Sequence, residues 1–250
     1  MKGIVLAGGL GTRLYPLTKI TNKHLLPIYD KPMIYYPIQS LVEAGIREIM
    51  IVTGGNNAGD FLKLLGNGAG FGLKHLDFTY QAEEGGIAQA IGLCEYFADG
   101  DKVAVILGDN IMEKTIGTYI AKFERQGEGA MVLLKRVKNP GEYGVATVKG
   151  KRILRIVEKP KKPEGDLAVI GLYMYDSRVF DIIRTLKPSR RGELEITDVN
   201  NHYLKLRLLS FAILRGGWAD AGESIAAYND TINLVRKRRI GTGIHGEGSR

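Results

Sequence analysis

The sequence predicts an α/β protein with a doubly wound, Rossmann-like mixed sheet and flanking helices. Short, uninterrupted apolar runs such as residues 4–7 and 103–107 are typical of strands that are buried on both faces of a parallel sheet. Segments with helical spacing of apolar residues alternate with these runs, and turns rich in glycine or proline separate them. The 250 residues, 44% of them hydrophobic and 25% charged, suffice for the core of an ordinary globular protein.

The N-terminal half alternates between strands and helices. The predicted strands cover residues 4–7, 49–52, 77–81 and 103–107, and the predicted helices cover residues 32–45, 60–65 and 87–97. Pro32 suits the first turn of the first helix, and Gly45 suits the position just after its end. Ligands of such sheets bind beyond the carboxyl ends of the strands, so the turns that follow these strands are the candidate site.

The C-terminal half contains several consecutive strands, which predict that the sheet continues as a mixed one. Predicted strands cover residues 131–135, 145–149, 153–158, 169–175 and 208–214, and predicted helices cover residues 178–185, 194–204 and 224–239. We expect one domain over residues 1–240, because no linker or internal repeat interrupts it. Residues 241–250 are rich in glycine and polar, which predicts a disordered tail.

The chain carries a formal net charge of +8, which favours anionic ligands in general. Most positive residues are dispersed, and the one dense run is Arg236-Lys237-Arg238-Arg239. We interpret this run as the solvated face of a helix and expect no nucleic-acid partner.

Cys94 is the only cysteine, so no intrachain disulfide can form. It lies in an apolar segment without a neighbouring histidine, which predicts core packing rather than a nucleophile. A reducing compartment suits this cysteine content, and no apolar run is long enough to span a membrane. We therefore expect a cytoplasmic protein with no membrane partner.

The first strand runs directly into a glycine-rich loop that contains Gly8, Gly9 and Gly11 and ends at Arg13. Glycines let the backbone approach a ligand closely, and consecutive N–H groups bind anionic oxygens. Arg13 adds a charge that can pair with phosphate. The spacing matches neither the dinucleotide fingerprint nor the P-loop. A polyphosphate ligand is the main hypothesis, and a glycine-rich turn without a ligand is the alternative.

Five further residues could carry chemistry, and all of them except Asp109 have a structural alternative. Asp109 follows a fully apolar strand, where a carboxylate near a phosphate loop suits a Mg²⁺–nucleotide site. Asp220, in a turn flanked by glycines, could be a second metal ligand or the N-cap of the last helix. Lys23 could bind an anion or lie on the surface, and Glu158-Lys159 could bind a sugar phosphate or form a surface ion pair. The four histidines lack metal-ligand spacing.

Together these segments resemble the sugar-1-phosphate nucleotidyltransferase family. The motifs that carry the resemblance are LAGGLGTRLYPLT at residues 6–18, KHLLP at 23–27, GGIAQA at 85–90, LGDN at 107–110, EKP at 158–160, GELEITD at 192–198 and WADAG at 218–222. So many motifs in one order are far more specific than any one of them. The match is most similar to the members that use dTTP and glucose 1-phosphate, in a short form without extra C-terminal helices.

The resemblance implies a role for each matching residue. The implied nucleotide-binding residues are Leu6, Gly8, Gly9, Gly11, Thr12, Arg13, Lys23, Gln81, Gly86 and Asp109. The implied sugar-phosphate-binding residues are Asn110, Tyr143, Gly144, Glu158, Lys159, Val169 and Arg191. The implied catalytic residues are Arg13, Lys23, Asp109 and Lys159, and the implied Mg²⁺ ligands are Asp109 and Asp220. The nucleotide-binding half would cover about residues 1–112, and the sugar-phosphate-binding half about residues 113–240.

The implied reaction joins dTTP and glucose 1-phosphate to give dTDP-glucose and pyrophosphate, by Mg²⁺-assisted in-line attack on the α-phosphorus. A sugar-phosphate oxygen is already nucleophilic, so no general base is needed. Related activities with UTP, another nucleotide or another sugar 1-phosphate are the alternatives, and a non-catalytic sugar-nucleotide sensor is a further one. The family also implies a homo-oligomer, a tetramer or a dimer. Leu10 and His24 depart from the residues that are more usual at these positions.

Replacing Arg13 by Ala or Asp109 by Asn is expected to lower turnover by about 10²-fold or more, because each change removes electrostatic stabilisation of the transition state. Pyrophosphate release with dTTP and glucose 1-phosphate measures the loss. Near-normal turnover of either variant would contradict the implied roles.

Overall fold

The computed structural model describes residues 1–238 and Ile240, so the predicted tail at residues 241–250 lies outside the described residues. The strands are β1 Lys2–Ala7, β2 Pro27–Ile28, β3 Lys31–Pro32, β4 Glu48–Gly54, β5 His75–Gln81, β6 Val103–Leu107, β7 Asn110–Met112, β8 Ala130–Arg136, β9 Gly144–Lys149, β10 Arg152–Glu158, β11 Leu167–Tyr175, β12 Leu209–Ile213 and β13 Trp218–Asp220. The α-helices are α1 Tyr35–Glu43, α2 Ala58–Leu65, α3 Gly86–Gly92, α4 Glu95–Ala98, α5 Gly117–Glu124, α6 Arg178–Thr185, α7 Ile196–Lys205 and α8 Ile225–Arg238.

The chain divides into two compact units that interleave along the sequence. The N-terminal unit comprises Lys2–Glu84, Ile106–Thr118 and the chain from Gly216 onward. The central unit comprises Met1, Gly85–Val105 and Tyr119–Arg215. Both units combine strands with helices, and the predicted mixed α/β fold is confirmed. Among the described residues, no helix is long and apolar enough to cross a membrane.

In the N-terminal unit, β1, β4 and β5 form parallel pairs in sequence order. The side chains of Ile4, Val5, Ile49 and Ile51 are fully buried, as the uninterrupted apolar runs predict. The register aligns Ala7 with Thr53, so β1 and β4 end together at the edge where the glycine loop begins. This edge is where the sequence places the candidate site.

A short antiparallel pair in the N-terminal unit joins β7 to β13 and aligns Asn110 with Asp220. The sequence does not predict these strands, because three residues are too few to show a periodic pattern. The N-cap alternative for Asp220 is wrong, because α8 begins at Ile225 and Ser224 Oγ accepts from the backbone N–H of Ala227 at 3.1 Å. Asp220 is therefore available for a different role.

The central unit contains the antiparallel part of the fold. β11 pairs antiparallel with both β8 and β9, β10 pairs antiparallel with β9, and β12 pairs parallel with β8. Helix α6 buries Val179, Phe180, Ile182 and Ile183, which recur at helical spacing. The predicted strands and helices of this region are confirmed to within about two residues at each end.

Three differences from the predicted helices have local causes. The first predicted helix, at residues 32–45, begins only at Tyr35, because Pro32 pairs in the short strand β3 and is not in the first turn of α1. The predicted helix at residues 87–97 is two helices, α3 and α4, because the backbone leaves helical geometry at Cys94. Burial raises the pKa of the Cys94 thiol to about 12, so the prediction of core packing is confirmed. Helix α5 was not predicted, because only Ile120 and Phe123 of its eight residues are buried. Arg236 and Lys237 are exposed on α8, as predicted for the basic run.

A buried hydrogen-bonded cluster joins α7 to the end of β11 in the central unit. The Tyr203 hydroxyl donates to Asp176 Oδ1 at 2.6 Å, and the backbone N–H of Gly129 donates to Asp176 Oδ2 at 2.6 Å. Tyr203 is fully buried and Asp176 is 8% exposed. Such a carboxylate needs these donors, because burying it without partners is costly.

Replacing Tyr203 by Phe is expected to destabilise the protein by about 2 kcal/mol and to lower the melting temperature by ~4–8 °C, because one donor to the buried carboxylate is lost. Thermal unfolding followed by circular dichroism measures the shift. Tyr96→Phe is the matched control, since Tyr96 is 98% exposed. Equal melting temperatures for both variants would show that the cluster contributes nothing to stability.

Candidate active site

The glycine loop lies between β1 and a short 3-10 turn at Thr12–Leu14. Gly9 and Gly11 have φ angles of +92° and +64°, which side-chain-bearing residues adopt only at a cost. A Cβ atom at Gly11 would lie 2.9 Å from Thr18 Cγ2 and 3.1 Å from Lys23 Cβ. The loop is therefore tightly packed against the segment that carries Lys23. Thr12 and Arg13 are exposed beside it.

Two other predicted nucleotide residues lie next to the loop in the N-terminal unit. A Cβ atom at Gly8 would lie 3.0 Å from Gln81 Oε1, so the Gln81 amide rests against the loop. Leu6 is buried, and its carbonyl accepts from the backbone N–H of Gly108 at 2.8 Å. This hydrogen bond holds the start of the Asp109 segment beside the end of β1. The structure thus brings the predicted loop, amide and carboxylate into one neighbourhood.

Lys23 and Asp109 form an ion pair of 2.5 Å between Nζ and Oδ2. Burial of Lys23 by itself lowers its pKa, but the charge of Asp109 outweighs this effect and the pKa is raised. Burial by itself raises the pKa of Asp109, but the charge of Lys23 outweighs this effect and holds the pKa of Asp109 well below its usual range. The alternative of a surface lysine is wrong, because Lys23 is paired with a buried acid. The pair is charged on both sides at neutral pH.

Asp220 lies close to this pair and is affected by it. Burial, followed by the charge of Asp109, raises the pKa of Asp220 to about 7. The backbone N–H of Ala221 donates to the Asp109 carbonyl at 2.9 Å, and the N–H of Gly222 donates to Asp220 Oδ1 at 3.0 Å. A Cβ atom at Gly222 would overlap Asp109 Oδ2 and approach Lys23 Nζ to 2.8 Å. Glycine at this position keeps the space around the carboxylates clear.

Asn110 is hydrogen-bonded to the Asp109 carboxylate. Its Nδ2 donates to Asp109 Oδ1 at 3.1 Å, and its Oδ1 accepts from Trp218 Nε1 at 2.8 Å. Asn110 is 1% exposed. The sequence assigned Asn110 to the sugar phosphate, whereas the structure places its amide between Asp109 and Trp218 in the N-terminal unit. Its predicted sugar contact stays a prediction.

Sequence reasoning missed a buried hydrogen-bonded turn that holds Lys23. Asn22 Nδ2 donates to the Ala7 carbonyl at 3.2 Å, and Asn22 Oδ1 accepts from the His24 backbone N–H at 2.9 Å and lies 2.8 Å from His24 Nδ1. His24 is 2% exposed, and burial, followed by the charge of Lys23, lowers its pKa to about 3. The imidazole is therefore neutral and faces the interior, and it fixes the backbone that presents Lys23.

The predicted sugar-binding residues of the central unit lie in one row across three strands. The register aligns Gly144 of β9 with Val169 of β11 on one side and with Glu158 of β10 on the other. A Cβ atom at Gly144 would lie 3.1 Å from Thr197 Oγ1 and 3.4 Å from Glu158 Oε2. Thr197, which the sequence did not assign to the site, donates to Glu158 Oε2 at 2.5 Å. The pairing orients the Glu158 carboxylate.

Lys159 and Tyr143 lie next to this row. The backbone N–H of Lys159 donates to the Tyr143 carbonyl at 3.1 Å. Lys159 has a φ angle of +38°, a left-handed conformation that costs a residue with a side chain about 1 kcal/mol or more. Such strain is concentrated at functional sites, and here it turns Lys159 out of the strand direction of β10. No feature of the sequence signals this conformation.

Arg191 is held by carboxylates in the central unit. It donates to Glu195 at 2.7 Å and lies 3.5 Å from Glu193 and 3.8 Å from Glu158. Glu195 also accepts from Ser189 Oγ at 2.6 Å. Burial alone would raise the pKa of Glu195, but the hydrogen bonds from Arg191 and Ser189 outweigh it and keep the pKa low. Arg191 is thus already oriented toward Glu158.

Gly86 is predicted to bind the nucleotide but belongs to the central unit. It has a φ angle of +91°, and a Cβ atom there would lie 2.6 Å from the Leu194 carbonyl. The Leu194 N–H donates to the Gly85 carbonyl at 2.8 Å, and the Ala88 N–H donates to the Leu194 carbonyl at 3.2 Å. These contacts require glycine at position 86 for packing, independently of any ligand.

Residues 2–237 match the family model described as nucleotidyl transferase. The chain belongs to the nucleotidyl transferase family. This membership confirms the resemblance that the sequence motifs indicate and the class of enzyme that they imply.

Several members of the nucleotidyl transferase family are similar over almost the whole chain. A glucose-1-phosphate thymidylyltransferase from Neisseria meningitidis is 46% identical over 249 residues, covering 96% of this chain and 86% of that protein. One from Mycolicibacterium smegmatis is 44% identical and covers 96% and 84%. A Bacillus anthracis crystal structure described as a glucose-1-phosphate thymidylyltransferase, in complex with sucrose, is 50% identical, with a TM-score of 0.90 and coverage of 94% and 95%.

The carboxylate pair fits the Mg²⁺ ion that the family implies. Asp109 and Asp220 supply oxygen ligands, which Mg²⁺ prefers, and a site with one or two carboxylates leaves positions for phosphate oxygens. Glycine at position 222 leaves room beside Asp109 Oδ2. Burial, and after it the charge of Asp109, raises the pKa of Asp220, and a bound cation relieves both effects by favouring the charged carboxylate.

Replacing Asp220 by Asn is expected to stabilise the metal-free protein at pH 8 and to stabilise it much less at pH 5. Folded Asp220, with a raised pKa of about 7, holds a proton that the unfolded chain releases near pH 4, so the wild-type protein loses stability as the pH rises through this window. Each kcal/mol of relief corresponds to ~2–4 °C in melting temperature. Thermal melts at both pH values with a chelator test this, and an equal shift at both would contradict it.

Proposed function

We propose that this chain transfers the thymidylyl group of dTTP to glucose 1-phosphate, giving dTDP-glucose and pyrophosphate. The observation that carries the proposal is the identity of 42–46% to glucose-1-phosphate thymidylyltransferases over at least 95% of the chain. Membership of the nucleotidyl transferase family supports nucleotidyl transfer as the chemistry of this chain.

On this proposal, the N-terminal unit binds the triphosphate and the base. The backbone N–H groups of the Gly8–Gly11 loop bind phosphate oxygens, and Thr12 adds a hydroxyl contact. The Gln81 amide offers both a donor and an acceptor, which suits the edge of a thymine base. Its position against Gly8 supports this assignment, since base and triphosphate belong to one ligand. Gly86, which belongs to the central unit, stays a predicted nucleotide contact.

Catalysis by this chain is proposed to consist of positioning and charge stabilisation. Lys23 releases Asp109 and binds the α-phosphate, and the exposed Arg13 neutralises charge on the departing pyrophosphate. Asp109 and Asp220 hold Mg²⁺, which when bound supplies further positive charge to the phosphate oxygens. A sugar-phosphate oxygen attacks in line, its bond to the α-phosphorus forms, and the bond to the pyrophosphate oxygen breaks.

The central unit is proposed to bind the sugar phosphate. Glu158, oriented by Thr197, accepts hydrogen bonds from sugar hydroxyls, and Gly144 and Val169 are aligned with it across the neighbouring strands. Tyr143 lies at the start of this row. Lys159 and Arg191 supply positive charge for the phosphate. Arg191 binds it by giving up its present contact with the Glu195 carboxylate. The sequence-based halves, about residues 1–112 and 113–240, differ from these two units, because Gly85–Val105 lies in the central unit and Gly216–Arg238 in the N-terminal unit.

A sister activity with UTP is the second candidate. A crystal structure of UDP-glucose pyrophosphorylase complexed with UDP-glucose is 27% identical, with a TM-score of 0.84 and coverage of 95% of this chain and 99% of that one. Thymine and uracil differ by one methyl group, which in an apolar pocket discriminates by only about 10–200-fold. Gln81 suits either base. The higher identity to thymidylyltransferases favours dTTP.

A panel of nucleotides and sugar 1-phosphates is expected to give the highest kcat/KM with dTTP and glucose 1-phosphate. Pyrophosphate release with dTTP, UTP, CTP, GTP and ATP, each against glucose 1-phosphate and mannose 1-phosphate, measures the ratios, with Mg²⁺ omitted as a control. A preference for UTP would replace dTTP as the donor. Binding of nucleotide sugar without any turnover would support a sensor and overturn the proposal.

We further propose that the chain works in the cytoplasm as a homo-oligomer, without a nucleic-acid or membrane partner. The single cysteine, Cys94, is buried and needs no oxidising compartment. Symmetric homo-oligomers are the commonest assemblies among soluble enzymes. Light scattering of the purified full chain during size-exclusion chromatography distinguishes a tetramer, a dimer and a monomer.

A further inference from the structure

The glycine loop carries a contact to an acidic residue that no assigned role uses. The backbone N–H of Leu10 donates to Glu84 Oε1 at 2.9 Å. The same oxygen lies 3.9 Å from the position of a Cβ atom at Gly9. A carboxylate of the chain itself therefore rests on the loop, in the N-terminal unit.

The chemistry of this contact is the chemistry expected of a phosphate. A loop N–H group binds a phosphate oxygen because the oxygen is an anionic acceptor, and a carboxylate oxygen is an anionic acceptor as well. Leu10 supplies only its backbone here, because its side chain is apolar and the residue is 61% exposed. One N–H group cannot serve both anions at full strength.

We propose that Glu84 is an internal competitor of the triphosphate and thereby sets the affinity of this enzyme for its nucleotide. The inference rests on the proposed function, since it assigns the loop to a triphosphate. Binding of the triphosphate requires Glu84 to leave the Leu10 N–H. Part of the binding free energy is spent on this exchange, and the repulsion between the carboxylate and the phosphates adds to it.

A second contact in the same unit follows the same pattern. Lys23, the proposed α-phosphate ligand, is paired with Asp109 at 2.5 Å. Asp109 has a further role as a metal ligand, so its pairing is part of the catalytic machinery. Glu84 has no such role, is exposed, and is the last residue of the first segment of the N-terminal unit. It can therefore be replaced without removing a catalytic group.

Glu83, the residue next to Glu84, offers a matched control. It is exposed, carries the same charge and is one residue away, and it is not part of the Leu10 contact. Glu83→Gln removes one negative charge beside Glu84 and leaves the hydrogen bond from the Leu10 N–H to Glu84 in place. A difference between the Glu84 and Glu83 variants therefore reports the contact and not the net charge of the segment.

Isothermal titration of the full chain with dTTP and with inorganic tripolyphosphate, in the presence of Mg²⁺, tests the proposal. Glu84→Gln and Glu84→Ala are expected to bind both ligands about threefold to tenfold more tightly than the wild type. Glu83→Gln is expected to stay within about twofold. Thymidine, which lacks phosphates, is expected to bind all four proteins equally. A gain in affinity cannot arise from misfolding.

Unchanged or weaker binding of tripolyphosphate by both Glu84 variants would overturn the proposal, and weaker binding would assign Glu84 to holding the loop in its binding conformation. A change in thymidine affinity would also overturn it, because Glu84 would then act on the base. Tripolyphosphate binding does not depend on the base or on the sugar. If it tightens as expected but dTTP is not turned over, only the proposed reaction fails.

Discussion

The buried carboxylate of Asp109 is the constraint on which the rest of the site depends. A charged carboxylate that is 6% exposed must be paired, and Lys23, Asn110 and the space kept by Gly222 meet this need. The Leu6–Gly108 hydrogen bond fixes the start of the segment, and the β7–β13 register brings Asp220 alongside it. The same arrangement that stabilises Asp109 also leaves two carboxylates together, which costs stability unless a cation binds.

Several positive or N–H groups of the proposed phosphate sites are already occupied by the chain's own acids. Lys23 is paired with Asp109, Arg191 with Glu195, and the Leu10 N–H with Glu84. Each donor is thereby oriented before a substrate arrives, which reduces the ordering needed on binding. The cost is that each acid must be displaced or must find another partner. On this view, the affinity for a phosphate ligand depends on the gain from oriented donors minus the cost of displacing their acidic partners, and not on the number of donors.

Much of the fold follows from local patterns in the sequence. The buried strands β1, β4 and β6 contain uninterrupted apolar runs, and α6 shows its buried face at helical spacing. The glycine loop and Asp109 could be recognised because they follow such strands directly. The two strands of the β7–β13 pair could not, since a three-residue strand has no period and its partner is more than 100 residues away.

The sequence by itself determined the α/β class, the family and which residue types carry charge near the loop. Only the tertiary structure decided their partners. Asp220 proved to be a strand residue beside Asp109 and not a helix cap, His24 faces the interior, and Thr197 and Glu84 contact site residues 39 and 74 positions away. The physical reason is that local propensity acts over a few residues. Ion pairs, hydrogen bonds and the pKa values that they shift depend on distances in space, which the sequence pattern does not contain.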